Sequence, residues 1–436
     1  MESVTSMKIR RTPLRVITAT AAVALTAGLL VGCSSTSPST SASSGGGGGT
    51  LRMLVYGDAA LSVLMQTEFK KFEEQTGIKV TLDTMPGAGY TQFNSKLNPE
   101  LVGGKGPDIW RMWGGTIGQT YADNGQAADL AKYYDQYKWG DLIDAATING
   151  MTWNGKKIGL PLFRCTVTAW YSKDAFAKAG ITKVPTTYAE LTADNEALVK
   201  SGQVPVGLGG KYGWDIMRLF QYLLEKDAVP TLHDQLLTGK ADWNDPAVVK
   251  AFVELKEWSD NGWMPKGALG LDPADVEPGF TQGKEAYTIA GSWVDSGYIQ
   301  KASDPSAYGT FALPTDRTPN RPGGWVEGYM INAASPNQDN AAKLLNFLAQ
   351  PEEQKAIGNS QSPVKGAEPD ATKYPASAEN AKIGAESPFF TQQDQALPAD
   401  VANTYFDLQS QVIQGKTTPQ DAAAKMQQSM LASAKK

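Results

Sequence analysis

The alternation of short strands with amphipathic helices constrains the fold of this chain more than any other feature. An apolar strand at residues 51–56 is followed by apolar residues at helical spacing over 61–72, and Gly77 then predicts the end of that helix. Residues 78–82 next alternate between apolar and polar, as in a strand. A strand, a helix and a strand in this order predict a βαβ unit with a parallel sheet.

The same alternation continues along the chain. Thr187 and Glu190 have the spacing of a capping box, and Asp245 with Pro246 predicts another helix start. Residues 341–348 carry a further apolar stripe at i, i+3, i+4 and i+7. The fold class is therefore α/β. The roughly 390 residues that follow the N-terminal region exceed what one compact core usually contains, so we expect two lobes.

The N-terminal region has the layout of an export signal. In residues 1–32, four basic side chains precede an alanine-rich apolar run that is too short to span a membrane. Residues 30–33 (LVGC) resemble a bacterial lipobox, so we expect Cys33 to carry the lipid, such as palmitate; an ordinary signal peptide that ends near a cysteine is the alternative. The Ser, Thr and Gly residues up to residue 50 predict a flexible tether.

Composition and motifs exclude several function classes. The chain has 40 Lys and Arg against 45 Asp and Glu, which is too acidic a balance to favour nucleic-acid binding. His233 is the only histidine, which argues against a multi-histidine zinc site, and we expect it to be solvated. With Cys33 acylated, Cys165 has no disulfide partner within the chain and is expected to be buried. The chain has no G-x-S-x-G elbow, no Walker A loop and no H-E-x-x-H motif. We therefore expect no enzyme activity, metal or cofactor.

Several segments together resemble the carbohydrate-binding members of the extracellular solute-binding proteins of ABC importers, the group that includes maltose-binding protein. Each segment alone is weak, but their order and spacing extend from residue 51 to about residue 430. The similar segments are GPDIW at 106–110, WYSKDAF at 170–176, PTTYAEL at 185–191, FTQGKEA at 280–286 with the strand that follows, and INAASPN at 331–337.

The resemblance implies a two-lobed, periplasmic-binding-protein-like fold with hinge strands and a ligand cleft between the lobes. It places the crossovers near residues 164–167, 291–295 and 323–327. The lobes would then comprise residues 51–165 with 294–325, and residues 166–293 with 326–436. It also implies a monomer that captures a monosaccharide or oligosaccharide and delivers it to the permease of an ABC importer. The lipid would hold it at the outer face of the bacterial cytoplasmic membrane.

A sugar site needs aromatic planes for the C–H faces of the ring and polar side chains for its hydroxyl groups. We expect Trp293 to stack on the sugar, because the resemblance places a stacking tryptophan beside the hinge. Trp214, Trp113 and Trp325 lie in glycine-bordered segments that we expect to be loops, and packing within a lobe is the alternative for all four. The remaining strand and helix patterns place three tryptophans in the core: Trp170, Trp243 and Trp258.

Four charged residues are candidates for the polar rim of the site. Asp58 ends the first strand, where ligand crevices of α/β folds open, and Asp215 and Glu327 lie beside candidate tryptophans. An exposed surface position would explain these three carboxylates nearly as well. Arg164 falls within the first predicted hinge strand, where its guanidinium needs a carboxylate or a ligand hydroxyl to offset its desolvation.

Two other functions remain open at this point. A secreted glycoside hydrolase needs only two carboxylates roughly 5 to 10 Å apart, and Asp58 and Glu327 are one such candidate pair. A lipid anchor and tether would serve no purpose in a hydrolase, whereas they suit a protein that delivers its ligand at the membrane. Tryptophans also bind quaternary ammonium groups, so a binding protein for such a solute is the second alternative.

Overall fold

The computed structural model describes residues 49–57, 59–86, 90–358 and 360–435. The predicted signal peptide, Cys33 and the tether before residue 49 lie outside the described residues, and so does Asp58. Thr50, assigned to the tether from the sequence, is the first residue of a strand. In the described part of the chain, no helix is long and apolar enough to span a membrane.

The described residues form eleven strands. They are β1 (Thr50–Gly57), β2 (Lys79–Pro86), β3 (Ile109–Trp113), β4 (Thr152–Trp153), β5 (Lys156–Lys157), β6 (Leu160–Ser172), β7 (Val204–Gly207), β8 (Glu285–Ala290), β9 (Tyr308–Phe311), β10 (Gly323–Ile331) and β11 (Phe390–Thr391).

Nineteen α-helices accompany these strands within the same described ranges. They are α1 (Ala59–Thr76), α2 (Tyr90–Val102), α3 (Gly115–Asp123), α4 (Ala131–Tyr137), α5 (Trp139–Leu142), α6 (Ala145–Asn149), α7 (Lys173–Lys178), α8 (Tyr188–Lys200), α9 (Trp214–Asp227), α10 (Pro230–Leu237), α11 (Pro246–Asp260), α12 (Pro273–Val276), α13 (Trp293–Gly297), α14 (Gln338–Leu348), α15 (Pro351–Ala356), α16 (Pro375–Glu386), α17 (Gln393–Ala396), α18 (Ala399–Ile413) and α19 (Pro419–Ser433). Short 3₁₀ helices occupy Ala268–Gly270, Glu277–Thr281, Ile299–Lys301 and Pro305–Ala307.

The first βαβ unit forms as its sequence predicts. Helix α1 ends at Thr76, and Gly77 follows it with a φ of 70°, a left-handed conformation that glycine adopts without a steric penalty. Strands β1 and β2 pair in parallel, with Thr50 opposite Lys79. The parallel sheet expected from the alternation is therefore present at this edge.

The predicted helix starts are also present. The Thr187 hydroxyl accepts a hydrogen bond from the Glu190 amide at 3.1 Å, and the Asp245 carboxylate accepts one from the Ala247 amide at 2.8 Å. The Glu190 carboxylate binds the amide of Thr186, so the reciprocal half of the capping box is shifted by one residue. The apolar stripe of α14 is fully buried, as its spacing predicts.

Nine of the described strands pair into one mixed sheet in the order β2, β1, β3, β10, β6, β8, β7, with β11 beside β10 and β9 beside β6, while β4 and β5 form a separate pair. β10 runs antiparallel to both β3 and β6. Along β10, Trp325 lies opposite Cys165 and Glu327 lies opposite both Phe163 and Trp113. This register places the candidate residues of β10 in the middle of the sheet.

Apolar side chains form separate cores towards the two ends of this sheet. We call the packing around β1, β2 and β3 the first core, and the packing around α9, α11 and α18 the second core. β6 contributes Leu162 to the first core and Ala169 to the second, while β10 contributes Tyr329 to the first and Trp325 to the second. β6 and β10 therefore connect the two cores, in the region where the resemblance places hinge strands.

The packing of two segments differs from the lobe boundaries expected from the sequence. Within residues 294–325, Val294 packs with Trp170, and Phe311 belongs to the second core because β9 pairs with the end of β6. Helix α14, expected in the second lobe, packs in the first core. The chain therefore returns to the first core along β10 and leaves it again only after α14.

The solvent exposure of single residues confirms several expectations from the sequence and contradicts one. Trp170, Trp243 and Trp258 have no exposed surface and lie in the core as expected, and Cys165 is buried. The expectation that His233 is solvated is wrong, because it is fully buried. Its Nδ1 lies 2.7 Å from the Glu225 carboxylate, which compensates for the loss of water around the ring.

Candidate functional site

A buried ionic cluster forms around Arg218 on α9. Its Nη1 donates hydrogen bonds to Asp215 Oδ1 at 2.9 Å, to Glu277 Oε1 at 2.9 Å and to the carbonyl oxygen of Ile289 at 3.1 Å. The second carboxylate oxygen of Asp215 accepts a hydrogen bond from the Gly209 amide at 2.7 Å. Two buried carboxyl groups thus share one guanidinium.

This charge imbalance affects the titration of Asp215. Burial raises the pKa of Asp215 to about 7; the Arg218 guanidinium opposes this rise, and the Glu277 carboxylate adds to it. A desolvated carboxylate is costly unless it is fully paired, so partial protonation relieves the excess negative charge. We therefore expect Asp215 to be partly protonated near neutral pH.

Indole rings lie against this cluster. The Arg218 guanidinium carbon is 4.7 Å from the ring centroid of Trp214 and 4.9 Å from that of Trp293. Trp293 Nε1 donates to the Glu277 carboxylate at 3.2 Å, and the Trp293 ring lies 5.8 Å from the ring of Trp325. Trp214 and Trp293 remain partly exposed, so each presents indole surface to solvent.

Glycines close to both tryptophans in sequence lie in tightly packed places. Trp214 is the first residue of α9, and Gly213 before it has a φ of 79° and approaches Phe406 so closely that a Cβ would lie 2.4 Å from its side chain. A Cβ on Gly291 would lie 2.1 Å from the ring of Trp293. Only Gly291 is therefore required by the tryptophan ring itself, whereas Gly213 is required by its approach to Phe406.

A second cluster forms around Glu327 on β10. Its Oε2 accepts hydrogen bonds from the Tyr56 hydroxyl at 2.8 Å and from Arg111 Nε at 2.8 Å, and its Oε1 accepts one from Trp325 Nε1 at 2.6 Å. Burial, and then the Glu327 charge, hold the pKa of Tyr56 well above its ordinary value. Both carboxylate oxygens of Glu327 are occupied, and its charge is matched by Arg111.

Trp113 joins this second cluster through an aromatic stack. Its ring lies 3.7 Å from the ring of Tyr56 at an interplanar angle of 6°, and Trp113 packs against both the first and the second core. Trp113 is the last residue of β3 and Trp325 lies within β10, so neither is in the loop expected from its glycine-rich surroundings. Backbone hydrogen bonds to the neighbouring strands hold a strand in place, so both indoles project from defined positions.

One continuous set of contacts therefore links most of the candidate residues. It runs from Trp214 and Asp215 through Arg218 and Trp293 to Trp325, and then through Glu327 and Tyr56 to Trp113. Six of the eight residues expected from the sequence belong to it: Trp293, Trp214, Trp113, Trp325, Asp215 and Glu327.

Arg164 has other partners. Its Nη2 donates to the Gly384 carbonyl at 3.0 Å, Nη1 lies 3.9 Å from an oxygen of Asp144, and the guanidinium carbon is 5.5 Å from the ring centroid of Phe389. The sequence argument required an oxygen partner for this guanidinium, and the fold supplies a carbonyl and a carboxylate. Asp58 lies outside the described residues, so the structure places only seven of the eight candidates.

Sequence reasoning missed several members of this set. Arg218 carried a usable signal, because it follows Trp214 by four residues and Asp215 by three and so shares their helical face. Tyr56 and Arg111 carried none, since their partner Glu327 is 271 and 216 residues away along the chain. Within the described ranges, no group of three or more His, Cys, Asp or Glu residues is placed to hold a metal ion.

Asp394 on α17 was also missed. Its side chain is half-buried, and its Oδ1 is shielded from solvent without a hydrogen-bond partner. Burial raises the pKa of Asp394 to about 6, and the Arg218 guanidinium lowers it.

Comparisons with known proteins agree with this architecture. The galactooligosaccharide-binding protein of Bacillus subtilis (strain 168) is 25% identical over 313 residues, which cover 68% of this chain and 68% of the relative. The diacetylchitobiose binding protein DasA of Streptomyces coelicolor is 26% identical over 290 residues, covering 64% of each chain. A solved structure of a chitin oligosaccharide binding protein superposes with a TM-score of 0.77 at 26% identity, covering 87% of this chain and 98% of that one.

These similar proteins are binding proteins, and the solved structures that resemble this chain have the two-lobed fold of periplasmic solute-binding proteins. The fold class expected from the sequence is confirmed. The model of the bacterial extracellular solute-binding protein family matches residues 58–355, which is more than half of the chain. The chain therefore belongs to the bacterial extracellular solute-binding protein family.

Proposed function

We propose that this protein captures a sugar or oligosaccharide outside the cytoplasm and delivers it to the permease of an ABC importer. Family membership supports the delivery role. The named relatives that bind galactooligosaccharides, diacetylchitobiose and chitin oligosaccharides support the ligand class. The ligand-contacting surface that we propose is the set of indoles around Arg218.

The observation that carries this proposal is the arrangement of Trp214 and Trp293. Both rings are partly exposed, and both are held by a buried guanidinium rather than by apolar packing alone. Rigid indole planes beside carboxylates match the two surfaces of a sugar, which are flat C–H faces and a rim of hydroxyl groups. Glu327, whose oxygens are both occupied, would orient Trp325 and Arg111 rather than bind the sugar directly.

Arg218 also bears on the quaternary ammonium alternative. A cage for such a cation needs free aromatic faces around an empty centre. Here the guanidinium already lies over Trp214 and over Trp293, so one face of each ring is occupied by a cation of the protein itself. A cation of the protein beside both rings disfavours a second cation there, which favours an uncharged ligand such as a sugar.

The hydrolase alternative requires a carboxyl pair that is free to act. Glu327 accepts hydrogen bonds from Tyr56, Arg111 and Trp325, and Asp215 accepts them from Gly209 and from Arg218. Carboxylates saturated in this way are poor general acids and poor nucleophiles. We therefore propose a binding protein without enzyme activity, as its named relatives are.

Ligand delivery requires closure of one lobe on the other. We propose that β6 and β10 are hinge strands and that the lobes follow the two cores, so that α14 belongs with the first lobe and residues 294–325 with the second. A ligand that bridges both lobes stabilises the closed state by the contacts that only that state has. We further propose that Cys33 carries a lipid and that the monomer is anchored at the outer face of the membrane.

Calorimetric titration of the purified protein against a panel of monosaccharides and oligosaccharides tests the function. At least one saccharide should bind, and Trp293→Ala should weaken that binding, while Trp258→Ala removes a fully buried indole of the second core as a control for stability. Binding of none of the saccharides would refute the sugar assignment. Hydrolysis of a bound saccharide would instead favour the hydrolase.

A further inference from the structure

Glu277 joins the buried guanidinium to a partly exposed indole. Its Oε1 accepts a hydrogen bond from Arg218 Nη1 at 2.9 Å, and its Oε2 accepts one from Trp293 Nε1 at 3.2 Å. The Glu277 side chain is only 8% exposed. Each carboxylate oxygen therefore has a partner within the protein, and little of the side chain is open to a ligand. Any effect of Glu277 on binding must pass through these partners.

Other contacts hold the backbone at Trp293. This residue is the first of α13, and Asp295, two residues later, is buried. Asp295 Oδ2 accepts hydrogen bonds from the hydroxyl and the amide of Ser377 on α16, and its Oδ1 accepts one from Gln300 Nε2 at 2.7 Å. These contacts attach α13 to α16. They do not set the rotation of the indole about its two side-chain torsion angles.

Packing around the indole restricts that rotation without defining it fully. The ring lies so close to the backbone of Gly291 that a Cβ there would be 2.1 Å from a ring atom, and the Trp325 ring lies 5.8 Å away. Apolar contacts are non-directional. Nε1 is the only hydrogen-bond donor of an indole, so its bond to Glu277 distinguishes the observed orientation from one in which the ring is turned over.

The orientation of a stacking surface affects how tightly a ligand binds to it. A side chain that is free before binding and ordered afterwards loses rotamer freedom, which weakens binding by about twofold to tenfold. Trp293 is partly exposed, so packing confines its ring only in part. A hydrogen bond that orders the ring before the ligand arrives removes this loss.

We infer that Glu277 is a positioning residue of the saccharide site, which holds the indole of Trp293 in the orientation on which a sugar ring stacks. The inference rests on the proposed sugar-binding function and adds a residue that acts on affinity without touching the ligand. Arg218 supports the same orientation, because it binds the other carboxylate oxygen and so fixes the place of Glu277.

A double-mutant cycle tests whether Glu277 acts through the indole N–H. The full-length protein, purified in detergent, is titrated calorimetrically with galactobiose, cellobiose and N,N′-diacetylchitobiose. For a disaccharide that binds, Glu277→Ala should raise the dissociation constant about fivefold. Trp293→Phe keeps an aromatic plane but has no N–H, so adding Glu277→Ala to it should raise the dissociation constant by less than about twofold.

A matched control separates this effect from a general loss of stability. Glu254 on α11 is a similarly buried carboxylate in an ion pair, with Lys226 Nζ at 2.9 Å. Glu254→Ala should lower the urea midpoint, as Glu277→Ala does, but should leave the dissociation constant unchanged. Glu277→Met fills the volume of the side chain without a carboxylate acceptor, and it takes the place of Glu277→Ala in the cycle if the alanine variant does not fold.

Fluorine NMR observes the indole directly. 5-Fluorotryptophan is incorporated into the ligand-free protein, and Trp293→Phe identifies the resonance of Trp293 by its loss. Glu277→Ala should shift or split this resonance, because the ring then occupies more than one orientation. Glu254→Ala should leave it at its wild-type position. This measurement needs no ligand, so it tests the positioning separately from the proposed function.

Three results would overturn the inference. An equal effect of Glu277→Ala on the dissociation constant in the wild type and in Trp293→Phe would show that Glu277 does not act through the indole N–H. A Trp293 resonance unchanged by Glu277→Ala would show that the ring is held without it. If no saccharide binds the wild type, the proposed function is wrong and the inference falls with it, whereas equal affinity of the wild type and folded Glu277→Ala would leave that function standing.

Discussion

Replacing Arg218 with methionine tests whether its guanidinium balances the two buried carboxyl groups. Methionine has similar length and no charge, so the substitution removes the cation with little change in packing. Asp215 and Glu277 would lose their hydrogen bonds to Nη1, and the indoles of Trp214 and Trp293 would lose the cation between them. Breaking a buried pair in this way destabilises a protein by about 3 to 5 kcal/mol near neutral pH.

The dependence of this loss on pH follows from the pKa of Asp215. Its pKa is about 7 in the folded protein, above its ordinary value, so the folded state binds more protons than the unfolded state up to that pH. Stability from this group therefore falls as pH rises towards 7 and then levels off in the wild type. Without Arg218 the pKa rises further, so the fall continues, adding about 2 kcal/mol of loss between pH 7 and 8.5.

Urea unfolding of the wild type and Arg218→Met at pH 5.5, 7 and 8.5 measures both effects. The difference in the free energy of unfolding should grow with pH. Adding Asp215→Asn and Glu277→Gln to the variant removes both carboxylates and should abolish the growth. A difference that is the same at all three pH values would refute the argument that Arg218 acts by offsetting buried negative charge.

Three further outcomes are expected. Trp293→Ala should weaken saccharide binding by about 2 kcal/mol or more but cost less stability than the roughly 3 to 5 kcal/mol of a core tryptophan, measured by calorimetry and urea unfolding; the opposite ranking would move Trp293 into the core. Labelling with a clickable fatty acid should mark the native protein but not Cys33→Ala. Gly115→Ala should lower the urea midpoint, because its Cβ would lie 1.9 Å from the carbonyl oxygen of Gln395.

Features set by neighbouring residues could be predicted from the sequence. The cap at Thr187, the left-handed Gly77 and the buried stripe of α14 each depend on a spacing of four residues or fewer, or on the conformational freedom of one glycine. The βαβ unit follows from the same short-range patterns. These elements are determined locally, so the tertiary structure confirms them with small shifts of one residue.

Features that depend on distant partners could not be predicted. His233 lies in a polar stretch of sequence, yet it is buried by Glu225 on α9 and by Gln393 and Phe390, which are about 160 residues further on. The boundary at residue 294 failed to match the packing because β9 pairs with β6, across more than 130 residues. Contacts between residues so far apart in the chain depend on the whole sheet, so no local sequence pattern predicts them.

The candidate site lies between these two cases. Trp293 was selected because the family resemblance places a stacking tryptophan beside the hinge, and Trp214 because its segment is rich in glycine. Their electrostatic partner Glu277 lies on a separate 3₁₀ helix and gave no comparable signal. Aromatic members of the candidate site were therefore accessible from sequence, whereas the charged groups around them needed the structure.

Strand β10 connects the candidate site to both cores. Trp325 contacts Trp293 on the side of the second core, and two residues later Glu327 holds Tyr56 and Arg111, which belong to strands of the first core. Alternate residues of a strand share a face, and Trp325 Nε1 donates to Glu327 at 2.6 Å, so a displacement of the Trp325 ring would act on the Glu327 carboxylate. We therefore expect a sugar that stacks on Trp293 to change the balance of contacts on both sides of the hinge, which is what shifts a two-lobed protein towards closure.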